Sequence, residues 1–243
     1  MAIEHTIRSI GVARSPYKEK FAIPRQPGLV TVARGTIELD NDLHAAEMVD
    51  GLDAFSHIWV LFLFHENLEQ GWKPRVKPPR LGGNKKLGVL ATRSTFRPNG
   101  MGMSVLELNK ISIDGDKVKL HVSGLDLLDN TPIIDVKPYI QYADALPHAS
   151  SAYAMEAPVA PLEVNFSDEA NTALSTEPDD AKQLIKEVLA QDPRPSYKRN
   201  KADDKVYGVK LFDFDVKWQL TSLTEVHVIS IERIKDTAEP STS

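Results

Sequence analysis

Glycine and proline recur so closely through the first 150 residues that long helices are disfavoured over this part of the chain. They include Gly11, Pro16, Pro24, Pro27, Gly28, Gly35, Gly51, Pro74, Pro78, Pro79, Gly82, Gly83 and Gly88. Proline lacks a backbone donor and glycine weakens regular elements, so these residues bound short segments. We therefore predict short strands joined by turns.

The apolar patterns of several segments predict strands directly. Residues 58–64 form a continuous apolar run, IWVLFLF, which is typical of a strand buried on both faces. Residues 118–122 alternate between apolar and polar side chains, which predicts a strand with one solvated face. Residues 212–220 alternate in the same way, and residues 226–234 are predicted to form a strand that pairs with them.

Two segments carry helix signals. Residues 41–49 are predicted to form a short helix that is capped by Asn41 or Asp42. Apolar residues recur at helical spacing after Asp179 and Asp180, whose negative charges favour a helix start.

The order of these elements predicts a mainly β protein with two domains. Many short strands with regular turns indicate a closed or nearly closed sheet over residues 1–150. Residues 148–161 are rich in alanine, serine and proline, which indicates a linker or an irregular crossing. A small α+β domain is predicted over residues 165–243.

The composition excludes several kinds of site. The chain of 243 residues has no cysteine, so disulfides, a thiolate nucleophile and cysteine-ligated zinc are excluded. The seven histidines are scattered and none begins an H-E-x-x-H motif, so we predict no metal site. The first nine residues lack an apolar signal core, and the run at residues 58–64 is too short to span a membrane. We therefore expect a cytoplasmic protein.

The charge of the chain is unevenly distributed. The formal net charge is −5, yet no Asp or Glu occurs between Gln70 and Leu106. The cationic residues of this acid-free segment are Lys73, Arg75, Lys77, Arg80, Lys85, Lys86, Arg93 and Arg97. A local basic field of this kind is what a polyanion-binding surface needs.

Two polar clusters precede the acid-free segment. The first covers residues 14–28 and contains Tyr17 and Lys18, which either border a nucleotide-like ligand or belong to a polar loop with rigid prolines. The second covers residues 55–59 around His57, whose pattern on its own is that of a structural histidine at a strand start.

Two further clusters lie within and beyond the acid-free segment. In residues 93–104, Arg93 and Arg97 flank a phenylalanine, and two cations this close repel one another unless an anion or carboxylates lie near them. In residues 124–139, Asp126 and Asp129 interrupt an apolar run. Either these two carboxylates cap a turn, or one of them binds an arginine, an amine or ribose hydroxyls.

Together the four clusters resemble a known enzyme family. The matching motifs are SPYKEKFAIPRQPGL at residues 15–29, FSHIW at residues 55–59, ATRSTFRPN at residues 91–99 and DNTPIIDVKPY at residues 129–139. Their identity and order resemble those of the TrmO-type (TsaA-like) tRNA (adenine(37)-N6)-methyltransferases. The resemblance covers residues 5 to about 155 and continues through EVLAQDPRPSY at residues 187–197.

This resemblance implies a fold, a cofactor and a substrate. It implies a single-sheet β-barrel, often homodimeric, that binds S-adenosylmethionine and methylates N6 of threonylcarbamoyl-adenosine at position 37 of threonine tRNA. The implied cofactor-binding residues are Pro16, Tyr17, Lys18, His57, Ile58, Arg93, Met103, Asp126, Leu127, Leu128 and Asp129. One departure is that this chain has Gly-Met-Gly at residues 100–102, where the family usually has Pro-Ile-Gly.

The chemistry of methyl transfer adds three candidate bases and a substrate surface. Asp126, Asp129 and Asp135 are the candidates for taking the proton from the exocyclic nitrogen of the target base. The candidate substrate-binding residues are Arg97, Asn99, Lys73, Arg75, Lys85, Lys86 and Arg199. Arg97 or Tyr17 is also a candidate partner for the carboxylate of the threonyl group, because a bidentate arginine suits such a group.

Two other functions remain open at this point. A noncatalytic RNA-binding barrel would need the acid-free segment but not Asp126, Asp129 or Arg93. A barrel that senses an adenosyl ligand would need the carboxylates but not the acid-free segment.

Overall fold

A computed structural model describes residues 3–82, 84–195, 198, 201 and 203–234 of the chain. Its first part contains eight strands. They are β1 (Gly11–Arg14), β2 (Arg34–Leu39), β3 (His57–Leu63), β4 (Arg75–Val76), β5 (Leu87–Gly88), β6 (Met101–Asp114), β7 (Lys117–Ser123) and β8 (Thr131–Pro138). Six of them close into a barrel in the order β1-β2-β7-β6-β3-β8, and β4 and β5 form a separate two-stranded sheet. The prediction of a mainly β protein with a closed sheet is confirmed.

Alternation along the strands divides the barrel into a buried inner face and a partly covered outer face. In β3, Ile58, Val60 and Phe62 are buried, whereas Trp59 and the other alternate residues are only half-buried or exposed. The prediction that this strand is buried on both faces is therefore wrong, because a single sheet closed on itself has only one fully buried face. The prediction of one solvated face on β7 is confirmed.

The barrel closes where the first strand pairs with the last. Gly11 and Ala13 of β1 lie opposite Ile133 and Thr131 of β8 in an antiparallel register. Gly11 is needed at this point because an added Cβ would lie 2.2 Å from the Glu38 carbonyl oxygen on β2. Closure therefore brings the loop after β1 next to the loop before β8.

A smaller sheet with two helices follows the barrel. Its strands are β9 (Glu163–Phe166), β10 (Tyr207–Leu211), β11 (Phe214–Leu220) and β12 (Glu225–Arg233), in the order β10-β11-β12-β9. The predicted pairing of β11 with β12 is confirmed. Strand β11 begins at Phe214, two residues later than predicted. Phe212 has a left-handed φ of 53° and forms the turn after β10 instead.

Four helices complete the described part of the chain. They are α1 (Ala45–Met48), α2 (Gln141–Asp144), α3 (Asp168–Ala173) and α4 (Asp179–Ala190). The helix predicted after Asp179 is confirmed and buries the apolar face that was expected. The helix predicted over residues 41–49 is broken, because His44 has a left-handed φ of 53° and separates a 3-10 turn from α1. Neither Asn41 nor Asp42 caps it.

The second sheet contacts the loop that follows β1. The Phe212 N–H donates to the Pro16 carbonyl at 2.7 Å, and Tyr17 forms an isolated bridge with Leu211. On the other side, the Glu187 carboxylate of α4 accepts a hydrogen bond from the Thr31 N–H at 2.6 Å. The second part of the chain therefore contacts the barrel both at the loop that follows β1 and at Thr31. Within the described residues, none of the helices has the length and apolar character that crossing a bilayer requires.

We expect Gly102→Ala to lower the free energy of unfolding by about 1–3 kcal/mol, because an added side chain overpacks the barrel. A Cβ at Gly102 would lie 2.4 Å from Cζ of Phe62 and 2.8 Å from Cζ of Phe64. Chemical denaturation of both proteins measures the difference. Gly88→Ala is the matched control, since a Cβ at that strand position meets no atom within 4 Å. Equal losses in the two variants would contradict the described packing.

Candidate active site

The loop at residues 124–130 crosses one end of the barrel. It connects β7 to β8, and these strands lie on opposite sides of the six-stranded barrel. Leu125 and Leu127 of the loop are buried, with 1% and 2% exposure, and fill the barrel end. Leu128 is half-buried, and its carbonyl accepts a hydrogen bond from the Thr131 hydroxyl at 2.7 Å. The leucines thus hold the two aspartates of this loop in place.

Asp129 connects this loop to the loop after β1. Its Oδ1 accepts from the Ser15 N–H at 2.8 Å, and its Oδ2 lies 2.6 Å from Nζ of Lys18. The Asp129 N–H donates in turn to the Tyr17 carbonyl at 2.9 Å. Both carboxylate oxygens are therefore engaged, and Asp129 fixes the position of the loop that carries Pro16, Tyr17 and Lys18.

Asp126 is in a different electrostatic state. The side chain is half-buried, and its Oδ1 accepts a hydrogen bond from the Ser104 hydroxyl at 2.7 Å. Burial raises the pKa of the Asp126 carboxyl from 3.8 to about 6, while the Ser104 hydrogen bond and the positive charge of Arg93 act in the opposite direction. Asp126 is thus a carboxylate that can take up a proton near neutral pH.

The two arginines of the third cluster have different surroundings. The exposed Arg93 donates from Nη1 to the Gln26 side-chain oxygen and lies close enough to Asp126 for its charge to act there. Arg97 is half-buried and donates to the Thr92 carbonyl at 2.7 Å. The expectation that an anion or carboxylates must lie near both arginines is therefore wrong for Arg97, whose hydrogen bond to the backbone stabilises the turn.

A glycine in the left-handed conformation shapes the turn that follows Arg97. Gly100 has a left-handed φ of 59°, and its N–H donates to the Arg97 carbonyl at 3.0 Å. Proline at this position would be fixed near −65° and would not fit the same turn. Asn99 beside it is exposed.

The acid-free segment forms an exposed cationic surface. Arg75 lies opposite Gly88 in the β4–β5 pair and donates to the Lys86 carbonyl at 3.2 Å. Nζ of Lys73 lies 3.9 Å above the centre of the Phe96 ring. Lys85 and Lys86 are exposed. Within the described part of the chain, none of the eight cationic residues of the acid-free segment forms an ion pair, so the field they produce is not neutralised.

Tyr17 differs from its expected role. Its side chain has 0% exposure, and its hydroxyl has no hydrogen-bond partner among the described residues. Burial raises the pKa of the Tyr17 phenol far above its usual value, so the hydroxyl stays protonated. The hydroxyl therefore does not reach a threonyl carboxylate in this structure. Pro16 and Tyr17 contribute to the loop through their backbone carbonyls.

Two of the expected residues, His57 and Ile58, lie at the other end of the barrel from the Asp126–Asp129 loop. Ile58 pairs with Pro138 at the last residue of β8, whereas Asp129 lies two residues before its first. With a rise of about 3.3 Å per residue, the ends of β8 are roughly 23 Å apart. His57 lies at that far end, exposed, with Nδ1 2.9 Å from the Ser56 hydroxyl.

Met103 and Asp135 lie on the outer face of the barrel, where both face Leu61 of β3. Met103 is 56% exposed. Asp135 borders a surface cavity of about 300 Å³ that is also lined by Ile10. Of the three candidate bases, Asp135 therefore lies apart from Asp126 and Asp129 in a single chain, because four residues of β8 precede it.

Two cationic residues that precede Arg199 in the sequence form ion pairs. Arg194 is buried and its guanidinium lies 2.8 Å from Asp192. Nζ of Lys198 lies 2.8 Å from Asp203. Arg199 lies outside the described residues. Within those residues, no group of three His, Cys, Asp or Glu side chains is placed to hold a metal ion.

Three residues that were not predicted to have a role contact the functional side chains. They are Ser15, Gln26 and Ser104, which bond Asp129, Arg93 and Asp126 respectively. Ser104 carried a usable signal, since it occupies an inward position among the buried apolar residues of β6. A serine at such a position needs a polar partner.

We expect the Asp126 carboxyl to make folding stability depend on pH. Its pKa is higher in the folded chain, about 6, than the ordinary value of 3.8. Its contribution is therefore fully present at low pH and is lost as the pH rises from 3.8 to about 6. Asp126→Asn should remove this decrease in the free energy of unfolding, measured by denaturation at several pH values, with Asp135→Asn as the control. A difference between wild type and Asp126→Asn that is constant with pH would contradict this.

Comparison with known proteins identifies the relatives of this chain. Residues 12–145 match the family model described as the tRNA-methyltransferase O N-terminal domain, and residues 159–234 match that of the TrmO C-terminal domain. A tRNA (adenine(37)-N6)-methyltransferase of Escherichia coli is 53% identical over 215 residues, which cover 87% of this chain and 92% of the relative.

A second relative in sequence and a solved structure support the same family. A probable S-adenosyl-L-methionine-binding protein of Methanothermobacter thermautotrophicus is 39% identical over 144 residues, covering 59% of this chain and 96% of that protein. A crystal structure of TrmO from Pseudomonas aeruginosa superposes with a TM-score of 0.76 at 38% identity, covering 95% of this chain and 99% of that one. The chain therefore belongs to the tRNA-methyltransferase O family.

Proposed function

We propose that this chain is an S-adenosylmethionine-dependent methyltransferase that acts on N6 of threonylcarbamoyl-adenosine at position 37 of tRNA. The observation that carries the proposal is the half-buried Asp126, whose raised pKa suits a proton acceptor, beside an acid-free segment whose cations have no ion pairs in the described residues. Relatives at 53% and 46% identity are named tRNA (adenine(37)-N6)-methyltransferases. Threonine tRNA as the acceptor and the cytoplasm as the location are part of the proposal.

The charges around the barrel end fit an S-adenosylmethionine molecule. Asp126 offers a carboxylate to a sulfonium, an amine or ribose hydroxyls, and Arg93 offers a guanidinium to a carboxylate. Leu127 is buried in the barrel end, whereas the half-buried Leu128 offers apolar surface between the two aspartates. We propose that these residues, with Lys18 and the backbone of Pro16 and Tyr17, hold the cofactor. When bound, it supplies an electrophilic methyl group.

Asp126 is the proposed proton acceptor. The exocyclic nitrogen of the base is a weak nucleophile until its proton is drawn off, and a carboxylate of raised pKa holds that proton well. Asp129 is less suited, because Lys18 and the Ser15 N–H already occupy its two oxygens. Asp129 is therefore assigned to positioning the loop at residues 15–18.

The acid-free segment is the proposed RNA-binding surface. Lys73, Arg75, Lys85 and Lys86 are exposed and would contact phosphates, which fix the orientation of the RNA without reading its sequence. Asn99 is exposed beside the turn that holds Arg93 and Arg97 and would contact the modified base. The bases of an anticodon loop leave their stack more readily than those of a duplex, which suits a target that must enter the barrel end.

We expect Asp126→Asn to lower kcat for tRNA methylation by about 10²–10⁴-fold, because the base loses its proton acceptor. Calorimetry should give a cofactor affinity within about tenfold of wild type. Mass spectrometry of tRNA incubated with protein and cofactor measures the methylated product. Asp116→Asn is the matched control, since Asp116 is exposed in the turn between β6 and β7.

Full turnover by Asp126→Asn would contradict the assigned role. If the wild-type protein binds the cofactor but forms no methylated RNA, the function that remains is that of an adenosyl-ligand-binding barrel. If it binds RNA but not the cofactor, a noncatalytic RNA-binding barrel is left.

We further propose that a second copy of the chain completes the cofactor site. His57, Ile58 and Met103 belong to the cofactor motifs of the family pattern, yet in one chain His57 and Ile58 lie at the far end of the barrel and Met103 lies on its outer face. The outer face of β3 and β6 offers a surface for the second copy, because Met103 is 56% exposed there beside the half-buried Trp59 and Leu61. Pairing through this face would bring one chain's His57 towards the partner's Asp126–Asp129 loop.

We expect Met103→Glu to convert a dimer into a monomer and to weaken cofactor binding at least tenfold, because a charge is buried in the interface. Light scattering and calorimetry measure the two effects. Ile113→Glu is the matched control, because Ile113 lies on the same strand and is 55% exposed. A wild-type protein that is monomeric and still binds the cofactor would contradict a shared site.

A further inference from the structure

The indole of Trp72 is an exposed aromatic ring within the acid-free segment. Its side chain is 57% exposed. Among the described residues it takes part in none of the side-chain hydrogen bonds or ring contacts, in contrast to Trp59, which donates to Asp144 at 3.0 Å, and Trp218, which stacks on Tyr207. A large ring left open to solvent in a basic surface is suited to a flat, anionic partner.

The neighbours of Trp72 place the ring at the same end of the barrel as Asp126. Strand β3 ends at Leu63 opposite Met101, and its Phe62 pairs with Ile133 near the start of β8. The chain therefore leaves the barrel at the end that the loop at residues 124–130 crosses. A 3-10 turn over His65–Gln70 follows, and Gly71 has a left-handed φ of 67° that directs the chain outward before Trp72.

A backbone contact links Trp72 to the turn that carries Arg93. The Lys73 N–H donates to the Phe96 carbonyl at 3.2 Å, and Nζ of Lys73 lies over the Phe96 ring. Phe96 is three residues from Arg93, a span of at most about 11 Å, and the charge of Arg93 acts on Asp126. The indole of Trp72 therefore lies next to Lys73 in the chain, on the side of the candidate active site that carries Arg93.

We propose that Trp72 is a stacking platform for an unpaired RNA base next to the one that is methylated. The part of this inference that concerns methylation rests on the proposed function. The part that concerns stacking of an RNA base on Trp72 does not depend on methylation. Aromatic rings beside a basic groove hold single-stranded bases by stacking, while neighbouring lysines and arginines bind the phosphates. Stacking on Trp72 would hold the loop open while the target base enters the barrel end.

The first test is the emission of the tryptophans when RNA is added in the absence of cofactor. An anticodon stem-loop should quench wild-type fluorescence, and a fully paired duplex of equal length should quench it much less, because its bases are not free to stack. Trp72→Phe should lose most of the quenching, since Trp218 is buried and the half-buried Trp59 is hydrogen-bonded to Asp144. Because no turnover is needed, this result is independent of whether the protein is a methyltransferase.

The second test separates stacking from charge and from simple apolar contact. Trp72→Ala should raise the KM for tRNA about 5- to 150-fold with cofactor affinity unchanged, and Trp72→Phe should recover most of the loss. Leu90→Ala is the matched control, because Leu90 is 75% exposed in the same segment but has no ring. Changing Lys85 and Lys86 to alanine should instead reduce the salt dependence of binding, which Trp72→Ala should leave unchanged.

Two results would overturn the inference. One is a Trp72→Ala variant with wild-type KM for tRNA, together with undiminished quenching in Trp72→Phe. The other is a Trp72→Ala variant that changes the oligomeric state and binds RNA normally, which would assign the ring to contact with a second copy of the chain.

Discussion

The pairing of β1 with β8 is the interaction on which the rest of this structure depends. It closes the barrel, and it also brings two loops together that are more than 100 residues apart in the chain. The Lys18–Asp129 ion pair and the Ser15–Asp129 hydrogen bond exist only because of that closure. The second sheet adds to the same junction, since the Phe212 N–H bonds to the Pro16 carbonyl. The residues of the site are therefore brought together when the barrel closes.

The two aspartates of the crossing loop show how position within one short segment separates chemical roles. Asp129 faces a lysine and a backbone donor, so it is held as a structural anion. Asp126 is three residues away, yet it is turned towards the barrel interior, where Ser104 is its hydrogen-bond donor and burial raises its pKa. Desolvation raises the pKa of Asp126, whereas Asp129 is held by an ion pair and a backbone donor, so the two carboxylates of one loop have different surroundings.

Much of the fold follows from the sequence because strand alternation is local. The pattern of residues 118–122 predicts β7 correctly, and the spacing after Asp179 predicts α4. The errors occur where tertiary structure overrides a local pattern. His44 takes a left-handed conformation that breaks a plausible helix, and the apolar outer face of β3 is only partly covered.

The site was predictable as a set of motifs but not as an arrangement. The motif order placed Asp126, Asp129 and Arg93 in one family pattern, and these residues do lie near one end of the barrel. Sequence order carries no information about height along a barrel, so it gave no indication that His57 would lie at the far end of β8. Likewise, the charges of Arg93 and Arg97 look equivalent in the sequence, although Arg97 bonds to a backbone carbonyl and Arg93 acts on Asp126.

The central claim is that chemistry takes place beside Asp126 at the barrel end crossed by residues 124–130. A crystal structure of the protein with S-adenosylmethionine bound tests it most directly. The account predicts that the methyl-bearing sulfur lies next to Asp126, with room for a base nitrogen at about 3–3.5 Å from the methyl carbon. A cofactor bound instead in the cavity bordered by Ile10 and Asp135, with no contact to Asp126 of either copy, would contradict the account.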